Sequence, residues 1–336
     1  MTAPRRPLPA PRGELSAQVV ELLTRAPGSP APPVGELDPY GEDLSLTLHT
    51  CYELHYQGFA EVADGWEWDP GLLGLRGALE RQFLAALRAD VEGGDDVDGE
   101  LARLLEPTDG DVGIAGYLAE HGTPDLLREY FAHRSIYHHI EADPYAWVIP
   151  RLRGQPKAAL VAVEFDEFGG GRGERVHARL FAELLAGADL DPGYLRYLDL
   201  VPAPMLALVD MMSLLGLHRA LRAASVGHFA SVEITSSPAS RRLAALAREL
   251  LPHPACARFY TEHVEADAVH EQVMRHEVIA ALLADEPGAA ADIVFGIQAT
   301  NLLEDRFSGH VLGRWAAGRT SLREPLPQSA AASTEV

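Results

Sequence analysis

The sequence predicts an all-α protein, and three observations carry that prediction. Apolar residues recur at steps of three and four through most of the chain. Strand-like alternation is scarce. Glycine and proline cluster between the periodic stretches, where helices stop and start. Leu72, Leu75, Leu79, Phe83 and Leu87 mark a first long helix. His121-Gly122-Thr123-Pro124 reads as a stop followed by a start: glycine ends one helix, threonine caps the next, and proline takes its first turn. Pro156 then leads AALVAVEFDEF, GGGRG at 169–173 interrupts the pattern, and ERVHARLFAELL resumes it. Helical patterns follow over 205–217, 218–235, 239–250, 256–284 and 289–315. Together these predict a core bundle of roughly seven helices over 123–320, with a helical extension over 40–122 packed onto it. Residues 1–39, rich in proline, and 321–336 read as disordered tails, because such segments bury too little apolar surface to offset their ordering entropy.

Charge narrows the function. With 28 Lys and Arg against 49 Asp and Glu, the net charge of the 336 residues is −21. Nucleic acid and anionic membrane are therefore not expected partners, since both need surplus cation. Cys51 and Cys256 are the only cysteines, which excludes a disulfide framework and a cysteine-based zinc site. The longest apolar runs, such as 158–163, fall far short of the roughly 20 residues that span a bilayer. No apolar stretch follows the arginines near the N-terminus, so a soluble cytoplasmic protein is expected. The acidic stretch Val91–Val112 lacks EF-hand spacing and reads as a solvated loop or a short exposed helix.

The informative residues are acids and histidines on faces that should be apolar. Leu127, Phe131, Arg134, His138 and Glu141 share one face of the helix that starts at Pro124. His177 lines up with Leu180, Phe181 and Leu184, and Glu233 with Val226, Phe229 and Ala230. His263, Asp267 and His270, spaced by four and three, fall within roughly 60° of arc on a helix. Carboxylates converging in a core need a compensating cation. Three histidines with several carboxylates and no thiolate suit iron or manganese, in number enough for two ions. Each residue also has a plain reading: Glu141 pairing with Arg134, Glu233 with Arg241, and His177 as an ordinary half-buried histidine. Glu-x-x-His occurs once, at Glu174–His177, whereas the ferritin-like bundle requires it twice. Glu53 and His55, two apart on a helix, point away from each other and read as structural. Asp143 sits in a string, His139–Asp143, that echoes His263–Asp267, and this reads as coincidence.

In order and spacing, Glu141, His177, Glu233, His263, Asp267 and His270 resemble the ligands of the heme-oxygenase-like diiron oxidases and oxygenases. That family has a seven-helix core with a two-iron site in place of heme. The resemblance implies two Fe ions cycling between Fe2+ and Fe3+, with O2 as cosubstrate. Glu167, ten positions before His177, matches a seventh carboxylate of the N-oxygenating branch. Glu174, three before His177, matches an extra glutamate of the fatty-acid-decarboxylating branch. The resemblance thus implies N-oxygenation of an amine, guanidine or amino-acid-derived small molecule in specialised metabolism. Its alternatives are desaturation, C–C cleavage or decarboxylation of an amino or fatty acid, and a non-catalytic metal-binding helical protein. Glu141, His177 and His270 are expected on one ion, His263 and Asp267 on the other, with Glu233 shared. The expected partners are a small-molecule substrate, an external electron donor and a second copy of the chain in a homodimer.

Overall fold

The structure, a computed structural model, describes residues 5–106 and 113–327, the side chains of Glu265, Asp267 and Ala268 excepted. Its helices in chain order are α1 (Glu14–Leu23), α2 (Glu42–Glu53), α3 (Pro70–Asp90), α4 (Val97–Leu105), α5 (Ile114–His121), α6 (Pro124–His138) and the short α7 (Asp143–Ala146). They continue with α8 (Gly154–Glu167), α9 (His177–Gly187), α10 (Ala203–Leu217), α11 (Arg222–Leu250), α12 (Ala255–Val273), α13 (Ala280–Asp285) and α14 (Ala290–Ala316). There is no strand among the described residues, as the sequence predicts.

Several helix starts are set by local chemistry. The Asp69 carboxylate accepts from the Leu72 N–H at 2.9 Å and Pro70 opens α3. Asp96 accepts from the Gly99 N–H at 2.9 Å to start α4. Thr123 accepts from the Leu126 N–H at 3.2 Å, with Pro124 at the first turn of α6.

The longest helix, α11, is the axis of the core. It packs along α12 on one side and α14 on the other. α9 lies against α12, and α8 against α12 and the π-helical turn Met274–Ile279 that continues it. α10 is buried between α2 and α14. No single described helix is long and apolar enough to cross a membrane. Two glycines set the α11–α14 distance. A Cβ on Gly227 would lie 2.1 Å from the Ile293 carbonyl oxygen, and one on Gly296 would lie 2.0 Å from that of Ala224. The two backbones therefore touch at this crossing.

Three expectations need correction. The stretches 218–235 and 239–250 belong to one helix, because Pro238 lies inside α11. Proline removes one rung of the helix ladder, and the packing of α11 on α12 and α14 outweighs that local cost. The proline-rich segment read as a tail is docked over its described part. The buried Arg12 guanidinium bonds Glu42 at 2.7 Å and donates to the Leu198 carbonyl, while Val19, Leu22 and Leu23 of α1 are buried. Proline-rich chain has little entropy to lose on docking. At the other end Ser321 and Leu322 are buried. Glu129 on α6 holds them, accepting from Trp315 Nε1 at 2.8 Å, Thr320 Oγ1 at 2.7 Å and the Ser321 N–H at 2.6 Å. Residues 1–4 and 328–336 of the two expected tails lie outside the described residues, as do 107–112 of the acidic stretch.

The glycine crossing gives a stability prediction. Gly227→Ala and Gly296→Ala should each cost about 1–3 kcal/mol through overpacking. In urea titrations this appears as a lower midpoint at unchanged slope. Unchanged midpoints in both variants would show that the two helices do not meet there.

Candidate metal centre

Five segments each deliver part of the site. α6 ends at His138, so Glu141 lies in the turn beyond it and not on the α6 face that the sequence predicts. The turn still aims Glu141 inward, and His138 Nδ1 lies 2.5 Å from its Oε2. α8 ends at Glu167 and α9 begins at His177. Between them Gly169, Gly170 and Gly171 take φ of 75°, 61° and 78°, a left-handed run open to glycine. A Cβ on Gly169 would lie 2.7 Å from the Arg175 carbonyl carbon and the Val176 nitrogen. This reversal brings His177 Nδ1 within 2.7 Å of Glu167 Oε2. Glu233 comes from the middle of α11, and His263 and His270 from α12.

The donor atoms form two groups. Glu141, Glu167, His177 and His263 offer atoms that all lie within 4.8 Å of one another, and Glu167, Glu233 and His270 do the same. Glu167 belongs to both. Six of the seven sequence-derived candidates thus converge, while the Asp267 side chain lies outside the described residues. The donor groups differ from the expected division: Glu167 is common to both, His263 groups with Glu141 and His177, and His270 groups with Glu233. The sequence could not show this, because it depends on the chain reversal at the glycines. Glu174 is exposed and belongs to neither group.

The plain readings fail at these positions. Arg134 makes a bidentate pair with Glu304, at 2.8 and 2.6 Å, and not with Glu141. Glu233 Oε2 faces His270 Nδ1 at 3.1 Å and not Arg241. Glu53 and His55 do point apart: Glu53 accepts from the Tyr194 hydroxyl at 2.8 Å, while His55 Nδ1 faces Glu67 at 3.4 Å.

Electrostatics mark the site as short of cation. Burial alone would lower the His270 imidazole, but Glu233, Glu167 and Asp166 outweigh it and push it up to about 9. Burial alone would raise the Glu141 carboxyl, but His138 and His263 outweigh it and hold it low. Glu141 Oε1 is buried 3.7 Å from both His177 Nδ1 and His263 Nε2, so three donor atoms crowd one point. His263 Nδ1 lies 2.9 Å from the Phe259 carbonyl, which can only accept, so Nδ1 carries a proton and Nε2 is the nitrogen turned toward Glu141. Imidazole and carboxylate donors without thiolate are a set that suits iron or manganese, and each group could hold a metal ion.

Two nearby residues escaped the sequence reading. His138 was on the expected stripe, but its role as the partner of Glu141 depends on where α6 stops. Glu164 lies one turn before Glu167 on the buried face of α8, which the apolar Leu160 and Val163 announce. It is 2% exposed, and neither of its oxygens has a hydrogen-bond partner. Burial, with Glu167, Asp143 and Glu233 adding to it, pushes its carboxyl up to about 9.

A cavity of about 580 Å3 adjoins the donors. Glu141, Glu167, Glu233 and His263 line it, and Tyr137, Tyr145 and the Arg134–Glu304 pair face them. The buried Tyr145 hydroxyl has no partner, and its ring stacks on Phe229 at 3.8 Å. Phe181 and Phe259 pack on His138, with ring centres 4.6 and 4.8 Å away.

Comparison with known proteins places the chain. A family model described as iron-containing redox enzyme matches residues 128–305, which include all seven candidates. Nitrosourea synthase of Streptomyces achromogenes subsp. streptozoticus is 27% identical over 164 residues, covering 48% of this chain and 35% of that protein. The match thus spans about a third of that relative's length.

Glu164 gives a pH prediction. Its carboxyl titrates near 4.5 in the unfolded chain and near 9 in the fold. Between these values the folded state holds a proton that the unfolded chain has released, so this group weakens the fold as pH rises. Glu164→Gln keeps the shape and removes the titration. In metal-free protein its stability relative to wild type should grow with pH, by at most about 1.4 kcal/mol per pH unit. Urea unfolding across that range checks it, and a pH-independent difference would refute it.

Proposed function

The chain belongs to the iron-containing redox enzyme family, and from that premise we propose a non-heme diiron oxygenase that uses O2 to oxygenate the nitrogen of an amine-, guanidine- or amino-acid-derived small molecule. The observation that carries this reading is the carboxylate of Glu167, common to both donor groups. It is the position of the extra carboxylate in the N-oxygenating branch. The exposure of Glu174 speaks against the decarboxylating alternative, and the similarity to a nitrosourea synthase points the same way. The cavity against the donors favours a small organic substrate over metal storage.

Glu141, Glu167, His177 and His263 would hold one iron, and Glu167, Glu233 and His270 the other. Bound iron would supply the electrons that activate O2. The protein's own residues prepare the site. His138 fixes one oxygen of Glu141. The Phe259 carbonyl fixes the ring of His263. Phe181 and Phe259 keep water from this side. On the cavity wall the three carboxylates favour the cationic end of a substrate, and the Tyr145 hydroxyl is placed to accept or donate a hydrogen bond to it. Converting N–H to N–OH with O2 releases water and consumes an external electron pair, so an electron donor is a required partner.

Anaerobic loading with Fe(II) tests the proposal. Two irons per chain are expected, and rapid mixing with O2 should give a transient visible absorbance. Glu167→Ala should lose the absorbance and lower the iron content, while Glu174→Ala keeps both. With a panel of amines and guanidines, mass spectrometry should detect an added oxygen on nitrogen. The opposite ranking of the two variants, with fatty acids consumed instead, would overturn the reading.

A further inference from the structure

His270 faces a carboxylate at each of its ring nitrogens. Nδ1 lies 3.1 Å from Glu233 Oε2 and 3.6 Å from Glu167 Oε1, so it points into a donor group. Nε2 points the other way and lies 3.3 Å from Asp166 Oδ2. Asp166 comes from the last turn of α8, immediately before Glu167. Neighbours on a helix diverge by about 100°, so Glu167 enters both donor groups while Asp166 lies along α12 and enters neither. The side chain of Asp166 is 57% exposed and that of His270 is 2% exposed. The acid thus reaches a buried ring from the surface.

An imidazole nitrogen ligates a metal only when it carries no proton, and the neutral ring then keeps its proton on the other nitrogen. Glu167 and Glu233 lie on the Nδ1 side of His270, which leaves Nε2–H for Asp166 to accept. His263 is held the opposite way, with Nδ1 on the Phe259 carbonyl and Nε2 turned toward Glu141. The two histidines of α12 therefore present opposite nitrogens, and each needs its own partner to fix which one. We propose that Asp166 is the positioning residue of the second donor group, holding the His270 ring so that Nδ1 is the nitrogen that ligates. The inference rests on the metal-centre reading above. Without Asp166 the ring is free to take the other tautomer, which puts a proton where the metal must bind. Outer carboxylates of this kind are worth about 10- to 100-fold in metal affinity. Water can reach Nε2 once this exposed acid is gone, so the lower end of that range is expected here.

Titration of the full chain with Mn(II) tests this without turnover, because the sharp electron paramagnetic resonance of the free aqueous ion reports how much is bound. The wild type should bind two ions per chain. Asp166→Ala should weaken one of the two binding steps about tenfold and leave the other unchanged, with helicity by circular dichroism retained. Asp166→Asn keeps an oxygen that accepts from Nε2–H and loses the charge, so it should bind closer to wild type than Asp166→Ala does. A mere loss of negative charge would make the two variants equal. In Zn(II)-loaded protein with 15N-labelled histidine, NMR should show His270 bound through Nδ1 and protonated at Nε2, its signals assigned by their loss in His270→Ala. A metal bound at Nε2 of His270, an Asp166→Ala variant that holds both ions as tightly as wild type, or an Asp166→Asn variant as weak as Asp166→Ala would overturn the proposal alone. A wild type that binds no metal would overturn the metal-centre reading and this proposal with it.

Discussion

The convergence of carboxylates inside a helical core is the constraint around which this structure is arranged. Glu141, Glu164, Glu167 and Glu233 are all buried near one another, and like charges in a poorly polarisable interior cannot all ionise without a partner. Protons stand in where no stronger cation is present. They reside on His270, held up to about 9 by its acids, and on Glu164, held up to about 9 by burial and its neighbours. Divalent cations do the same work better, since each matches two carboxylates and accepts imidazole lone pairs.

Backbone geometry does the gathering. The left-handed glycine run turns the chain back so that the last residue of α8 meets the first of α9. The stop of α6 at His138 leaves Glu141 in a turn that directs it inward. The close α11–α14 contact holds α11, and with it Glu233, at a fixed depth. The π-helical turn starts at Met274, shortly after His270, and re-aims α12 where it leaves the site.

What the sequence shows depends on whether the signal is local. The start of α6 is legible because Thr123 and Pro124 act within one turn. The candidate donors are legible because an acid or histidine among leucines and phenylalanines breaks a periodic pattern. Other features are set by contacts far apart in sequence. Pro238 reads as a break, yet α11 runs through it because its neighbours hold both halves. The first 39 residues read as a tail, yet Arg12 binds Glu42 and the Leu198 carbonyl across the fold. That Glu167 belongs to both donor groups depends on the three-dimensional course of the glycine run. His138 and Glu164 were missed because one depends on a helix end and the other reads as one acid among several in VEFDEF.

The choice of cation in this core separates an ion-pair cluster from a metal centre. Arginine is present at the cavity wall, but Arg134 is committed in bidentate fashion to Glu304 and is in neither donor group. Had Arg134 turned to Glu141, a permanent charge would neutralise the acids, because guanidinium does not deprotonate at any relevant pH. Histidines stand there instead. Imidazole can neutralise a carboxylate while protonated, then give up the proton and offer the same nitrogen to a metal. The Phe259 carbonyl already fixes the His263 ring through Nδ1, with Nε2 turned toward Glu141. An arrangement that uses titratable cations beside the acids, and keeps the fixed one away from them, can exchange protons for metal ions without rearranging the core.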